Sequence, residues 1–172
     1  MKMRPLTATN ACLRLLPALS CPATTGEFGG ALETPGGEID GNFCDVFEFG
    51  DRVYAVDSLS HLGLASTTIY SFDRDCKHHK IFSAENLDFK ARYATGERAY
   101  ILLSDRVGEN PKSVLLEISE NGDMLKTEFD CDSPLVFNML VSDGKMFLGA
   151  DKAVVVFDLQ TCLLYTSDAA DE

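Results

Sequence analysis

Gly50-Asp51-Arg52-Val53-Tyr54, Gly96-Glu97-Arg98-Ala99-Tyr100 and Asp143-Gly144-Lys145-Met146-Phe147 are three copies of one pattern: a turn, a basic residue, an apolar residue and an aromatic. Tyr54 and Tyr100 lie 46 residues apart, and Tyr100 and Phe147 lie 47 apart. Self-similarity at a fixed period of this size marks a repeat architecture in which each copy is one supersecondary unit. A second marker follows each anchor: Thr68-Ile69-Tyr70-Ser71-Phe72-Asp73, then Ser113-Val114-Leu115-Leu116-Glu117-Ile118-Ser119, then Val154-Val155-Val156-Phe157-Asp158. A third, Lys80-Ile81-Phe82 and Leu125-Lys126-Thr127-Glu128-Phe129, occurs twice.

These markers predict short strands at 44–49, 52–57, 67–72 and 79–82 in the first copy and at 89–94, 98–104, 113–119 and 124–129 in the second. The third copy gives 136–141, 145–149 and 153–159. Asn121-Gly122 and Asp143-Gly144 have the composition of hairpin turns that need positive φ. Segments such as Tyr100-Ile101-Leu102-Leu103 and Val154-Val155-Val156-Phe157 are apolar on both faces, so both faces must be covered. Windows with helical i, i+3, i+4, i+7 periodicity do not extend beyond a turn or two. A β-propeller satisfies these requirements, because each four-stranded blade is sandwiched between neighbours. A β-sandwich would leave the matched spacing unexplained, and solenoid repeats are shorter. The expected fold class is therefore all-β: a β-propeller fragment of about two and a half four-stranded antiparallel blades, at about 43–87, 88–134 and 135–161, truncated at the C-terminus.

From Phe43 to Thr161 the chain resembles the YVTN/WD40-like and quinoprotein-like propeller superfamily of bacterial surface and secreted proteins. The anchors carry the resemblance, together with Val155-Val156-Phe157-Asp158-Leu159-Gln160-Thr161, which is similar to that superfamily's strand-ending Asp-x-x-Thr-Gly. Cys162 stands where the glycine belongs. The chain has no Trp, which departs from the blade-locking tryptophan of quinoprotein dehydrogenases, and it lacks the Gly-His and Trp-Asp pairs of strict WD40 repeats.

The two ends read differently from the repeats. Residues 1–42 are rich in Thr, Pro, Gly and Ala and read as a largely disordered leader or linker. Within them Lys2, Arg4 and the apolar run ending Ala18-Leu19-Ser20-Cys21 are similar to a bacterial lipoprotein signal, interrupted by Arg14 and Pro17. Residues 162–172 resemble the translation of a transposase-type sequencing adapter, a foreign segment to be set aside in fold reasoning. Setting aside Asp168, Asp171 and Glu172 takes the acidic count from 27 to 24 and the net charge from -12 to -9. Such a surface repels phosphate backbones, which disfavours nucleic acid and anionic membranes as partners. No run of 18 apolar residues is present, so a membrane-spanning helix is not expected.

Function on such a fold is expected on the long loops. Connections 58–66 and 105–112, with the blade-to-blade segments 83–86 and 130–134, would gather Asp57, His61, Asp105, Arg106, Glu109, Asp130, Asp132 and Asp151 into an acidic rim. Neither catalytic residues nor a metal site nor a cofactor can be assigned. His78 and His79 are adjacent on a strand and face opposite ways, so they cannot easily share a metal ion. Setting aside Cys162, the cysteines Cys12, Cys21, Cys44, Cys76 and Cys131 show no Cys-x-x-Cys spacing, and free thiols are the default. An oxidising compartment would allow a Cys76–Cys131 or a Cys44–Cys76 disulfide.

Two functional classes follow. The first is a non-enzymatic binding or scaffold module in the bacterial envelope or outside the cell, taking a protein, glycan or small-molecule ligand and completed by further blades of its own chain. The second is a propeller enzyme, a lactonase, hydrolase or quinoprotein relative, whose site draws on blades beyond this sequence.

Overall fold

The computed structural model describes residues 30–34, 37–61, 64–105, 112–130, 136–150 and 153–168. All regular structure among them is β. A hairpin of β1 (Gly30–Thr34) and β2 (Gly37–Gly41) comes first. Three four-stranded sheets follow, each hydrogen-bonded in chain order as a meander. The first contains β3 (Phe43–Phe49), β4 (Arg52–His61), β5 (Leu64–Phe72) and β6 (His78–Glu85). The second contains β7 (Asp88–Ala94), β8 (Arg98–Ser104), β9 (Lys112–Ser119) and β10 (Met124–Asp130). The third contains β11 (Val136–Ser142), β12 (Lys145–Ala150), β13 (Ala153–Asp158) and β14 (Leu164–Asp168).

The anchors are the first hairpins of the sheets. Asp143 and Gly144 both take positive φ, 50° and 72°, and close a two-residue turn between Ser142 and Lys145. Gly50, at φ 63°, opens the matching turn between Phe49 and Arg52. Both arrangements match the twist of the flanking strands. Asn121-Gly122 behaves otherwise. The Gly122 amide donates to the Ser119 carbonyl at 2.9 Å and the Ser119 amide to the Asp123 carbonyl at 3.0 Å, so only Gly122 needs positive φ, at 86°. The loop is the three-residue kind, not a two-residue turn.

The last hairpins of the first and third sheets are built around an aspartate. Asp73 Oδ1 accepts the amides of Asp75 and Lys77 at 3.0 and 2.9 Å, and Asp158 Oδ1 accepts those of Gln160 and Thr161 at 2.9 Å each. Each turn ends on a cysteine in the left-handed region, Cys76 at φ 59° and Cys162 at φ 58°. The position where Asp-x-x-Thr-Gly places glycine is therefore left-handed here, with a cysteine in it.

Three expectations are corrected. Residues 30–41, read as leader, form a hairpin whose Ile39 is 5% exposed. Glycine punctuation hid a strand with a single inward apolar residue. Segment 58–66 is not a long loop, because β4 and β5 run on through it to His61 and from Leu64. Residues 59–67 are held at their far end, where the Asn86 amide donates to the Ala65 carbonyl at 2.7 Å and Thr67 Oγ1 to the Leu87 carbonyl at 2.8 Å. The third sheet also has a fourth strand: Leu164–Asp168, within the tail read as foreign, pairs with β13. An open edge supplies unpaired amides and carbonyls to any extended segment, and Leu, Tyr and Thr suit a strand.

Two compact units divide the chain, Met1–Ser58 with Thr68–Ser83, and Leu59–Thr67 with Ala84–Glu172. In the first, Ile39 joins Ala55 and Phe72 in a buried cluster, with Phe43, Val46, Val53 and Tyr70 packed on it. Phe47 stacks on Tyr54, with ring centroids 5.2 Å apart. In the second, Tyr100, Leu102, Leu115 and Ala91 share one core with Met139, Val141, Met146, Leu148, Val155 and Phe157, so the second and third sheets pack face to face. Their first strands, β7 and β11, are in contact. Each large apolar side chain so buried contributes about 1.5–3 kcal/mol. Four-stranded meanders repeated at the anchor period, with the second and third sheets stacked through apolar faces, are the blade-like sheets of a partial β-propeller.

Candidate functional site

The first strand of each sheet carries a one-residue bulge near its start. Register shifts between Phe43 and Asp45, between Phe89 and Ala91, and between Val136 and Asn138, leaving Cys44, Lys90 and Phe137 as the extra residues. Cys44 to Lys90 is 46 residues and Lys90 to Phe137 is 47, the same intervals as the anchors. Bulges re-aim side chains and recur beside functional sites. The repeat thus preserves a backbone device while the residue on it changes.

In the second sheet the bulge belongs to a polar end. Lys90 Nζ donates to Asp88 Oδ2 at 2.7 Å, with side chains only 6% and 14% exposed. Asp88 is in register with Ser104 and Ser104 with Ser113, and both serines are buried. One step further out, the Asp105 amide donates to the Lys112 carbonyl at 2.9 Å, and Asp130 is in register with Lys112. This end therefore gathers Asp88, Lys90, Asp105, Lys112 and Asp130, a mixed set of charges and not a purely acidic rim. The pair is largely buried, and removal of either residue takes from the other its ion-pair partner.

Asp57 has a different task in the first unit. Its Oδ1 accepts the Asn42 amide at 2.6 Å, while the Ser58 amide donates to the Asn42 carbonyl and Asn42 Nδ2 to the Ser58 carbonyl, each at 3.1 Å. A Cβ on Gly41 would come within 2.9 Å of Asp57 Cγ, so a side chain there would displace this carboxylate. Asp57 ties the β1–β2 hairpin to β4. Burial raises the Tyr70 hydroxyl above its ordinary range, and Asp57 adds to the effect.

Of the residues expected in the rim, Asp57, Asp105 and Asp130 are described, and the second sheet brings the last two to one edge. His61 is the last residue of β4. Arg106, Glu109, Asp132 and Asp151 lie outside the described residues. Asp88 and Lys90 were missed; two opposite charges two residues apart at the start of a strand, in Asp88-Phe89-Lys90, were the available signal. The two histidines diverge as expected: His78 Nδ1 lies 2.8 Å from Thr34 Oγ1 and its ring meets Tyr70 edge-on, whereas His79 Nε2 lies 3.7 Å from Asp73. Cys44 and Cys76 are free thiols, which removes the Cys44–Cys76 disulfide; Cys76 is buried and Cys44 exposed. Cys131 lies outside the described residues.

The sheets define a class, a partial propeller whose first strands each carry a bulge near the start. Among solved structures the chain is similar to an ACO/RPE65 chimera, at 9% identity over 67% of this chain and 34% of that one, with a TM-score of 0.38. It is also similar to a mutant of Synechocystis apocarotenoid oxygenase, at 10% identity over 67% of this chain and 35% of that one, with a TM-score of 0.37. The chain spans about a third of the length of these structures. No protein-family model matches the sequence, and no curated protein matches it.

Proposed function

We propose that the chain is a non-enzymatic binding or scaffold module of the YVTN/WD40-like propeller kind, from the bacterial envelope or the extracellular space. Its ligand is a protein, a glycan or a small molecule, held at the strand entries and the loops beside them. The observation that carries this reading is the matched bulge, one backbone position in each sheet bearing Cys44, Lys90 and Phe137. A rigid scaffold that presents unlike side chains at equivalent places suits recognition of an irregular surface. Asp57, His61, Asp105, Arg106, Asp130, Asp132 and Asp151 belong to the rim of that surface in this reading. Residues 162–172 are taken as adapter-derived, so β14 fills a place that backbone pairing holds open and its side chains carry no function.

The test is an immobilised array of glycans and peptides probed with the purified chain, followed by titration of any hit. Saturable binding weakened at least tenfold by Arg substitution at Asp105 and by Cys44→Trp supports the reading. Saturable hydrolysis of lactone or ester substrates by the same protein, or binding indifferent to both changes, overturns it.

A further inference from the structure

The turn that joins the third strand to the fourth is built differently in the second sheet. In the first and third sheets a carboxylate, Asp73 or Asp158, gathers the turn amides, and a cysteine takes the left-handed place. Ser119 stands 46 residues after Asp73, and in its turn the left-handed place is held by Gly122. The residue before that glycine is Asn121, which makes the only Asn-Gly pair in the sequence.

An Asn-Gly pair carries a chemistry of its own. Because glycine has no side chain to obstruct the approach, the Gly122 amide nitrogen can attack Asn121 Cγ. A C–N bond closes a five-membered succinimide, the Cγ–Nδ2 bond breaks, and the proton from the Gly122 nitrogen leaves with the ammonia released. Water then opens the ring at either carbonyl. One opening gives aspartate, and the other gives isoaspartate, in which the backbone runs through the former side chain. Asn121 is exposed, so the water that this requires is at hand.

The folded turn withholds both reacting groups. The Gly122 amide donates to the Ser119 carbonyl at 2.9 Å. Asn121 Oδ1 accepts from Ser119 Oγ and from the Asp123 amide, the latter at 3.3 Å, while Asn121 Nδ2 donates to Asp123 Oδ2 at 2.6 Å. Two donors on Oδ1 polarise the amide and favour attack. The nucleophile, however, is engaged and the side chain is anchored at both ends, so local opening of the turn limits the rate. We propose that Asn121 is a modification site, converted to aspartate and isoaspartate when the β9–β10 turn opens, and that conversion leaves the turn looser. An aspartate has no Nδ2 donor and sets its carboxylate against that of Asp123. Isoaspartate adds a backbone atom ahead of Gly122 and displaces its bond to Ser119.

The experiment incubates the whole chain in mildly alkaline buffer, folded and in concentrated urea, and follows the tryptic peptide Ser113–Lys126, whose only side-chain amide is Asn121. Acid forms of that peptide, aspartate and isoaspartate together, should accumulate at least about tenfold more slowly in the folded protein. Ser119→Ala removes one anchor of the amide and should narrow that gap about threefold, with Asp123→Ala as the second variant, each checked for unchanged far-ultraviolet circular dichroism. Asn121→Asp, which copies one product, should melt below the parent. No acid form in urea, equal rates in the two conditions, folded variants that keep the parent's full gap, or an Asn121→Asp protein as stable as the parent would overturn the proposal.

Discussion

The second and third sheets carry the same anchors and the same strand order, yet β8 has six consecutive buried residues from Ala99 to Ser104 while β12 and β13 alternate buried with half-exposed. Val154-Val155-Val156-Phe157 is as apolar as Tyr100-Ile101-Leu102-Leu103. What differs is the neighbour: Leu102 has Met146 and Val155 in its core cluster, whereas the face bearing Leu140 is open. Burial of a strand in this architecture is a property of the stack, since each repeat gains stability from the sheets beside it.

The largest effects should separate the two sheets most clearly. Leu102→Ala removes a fully buried side chain from between sheets and should cost about 2–5 kcal/mol. Leu140→Ala changes a side chain already 48% exposed and should cost less than about 1 kcal/mol, both read from urea denaturation midpoints at constant m-value. Equal costs would mean that the second sheet is no better covered than the third.

The ion pair comes next. Lys90→Met removes the ion-pair partner of Asp88 and should destabilise by about 3 kcal/mol, with a Lys90→Met, Asp88→Leu double variant recovering most of the loss. If the single variant is neutral by thermal unfolding, the pair is solvated and the polar end of the second sheet is not a built site.

A smaller contrast lies between the cysteine turns. Cys162→Gly relieves an exposed non-glycine residue at φ 58° and should stabilise by about 0.5–1 kcal/mol. Cys76→Gly gives the same relief but empties a side chain that is only 5% exposed, so its net effect should be lower or reversed. A greater gain at Cys76 would contradict this ordering of the two turns.

The smallest effect is acidic. Two backbone amides hold the Asp73 carboxyl below the usual carboxylate range, that of Lys77 foremost, and those of Thr161 and Gln160 do the same for Asp158. A carboxyl depressed on folding contributes stability that is present above its unfolded value, near 3.9, and is lost as pH falls through the folded one. A doubly substituted Asp73→Asn, Asp158→Asn protein should therefore lose less of its thermal midpoint between pH 5 and pH 3 than the parent; an identical loss would show that neither turn couples to protonation.

Much of this was legible in the sequence. The anchors placed the first hairpins, β8 was given its full extent, and Asp-x-x-Thr-Gly marked Cys162 as the place of a turn glycine. Bulges were not legible, because a register shift depends on pairing with the neighbouring strand and Phe89-Lys90-Ala91 shows no local mark beyond one charge. The β1–β2 hairpin was hidden for a related reason: β2 has one apolar residue, Ile39, whose burial comes from the Ala55 and Phe72 it packs against. Of the residues named for the rim, Asp105 and Asp130 lie at one edge of the second sheet, and Asp57 accepts the backbone amide of Asn42.

Amide hydrogen exchange on the whole chain tests the central claim, that among the described residues β8 and β9 bury the side chains of both faces and β12 and β13 those of one. Both β8–β9 and β12–β13 are interior to four-stranded sheets, so their hydrogen bonding is matched and only their covering differs. Amides of β8 and β9 should exchange slowest of all, at least tenfold more slowly than those of β12 and β13. Equal or greater protection in β12 and β13 would contradict the account.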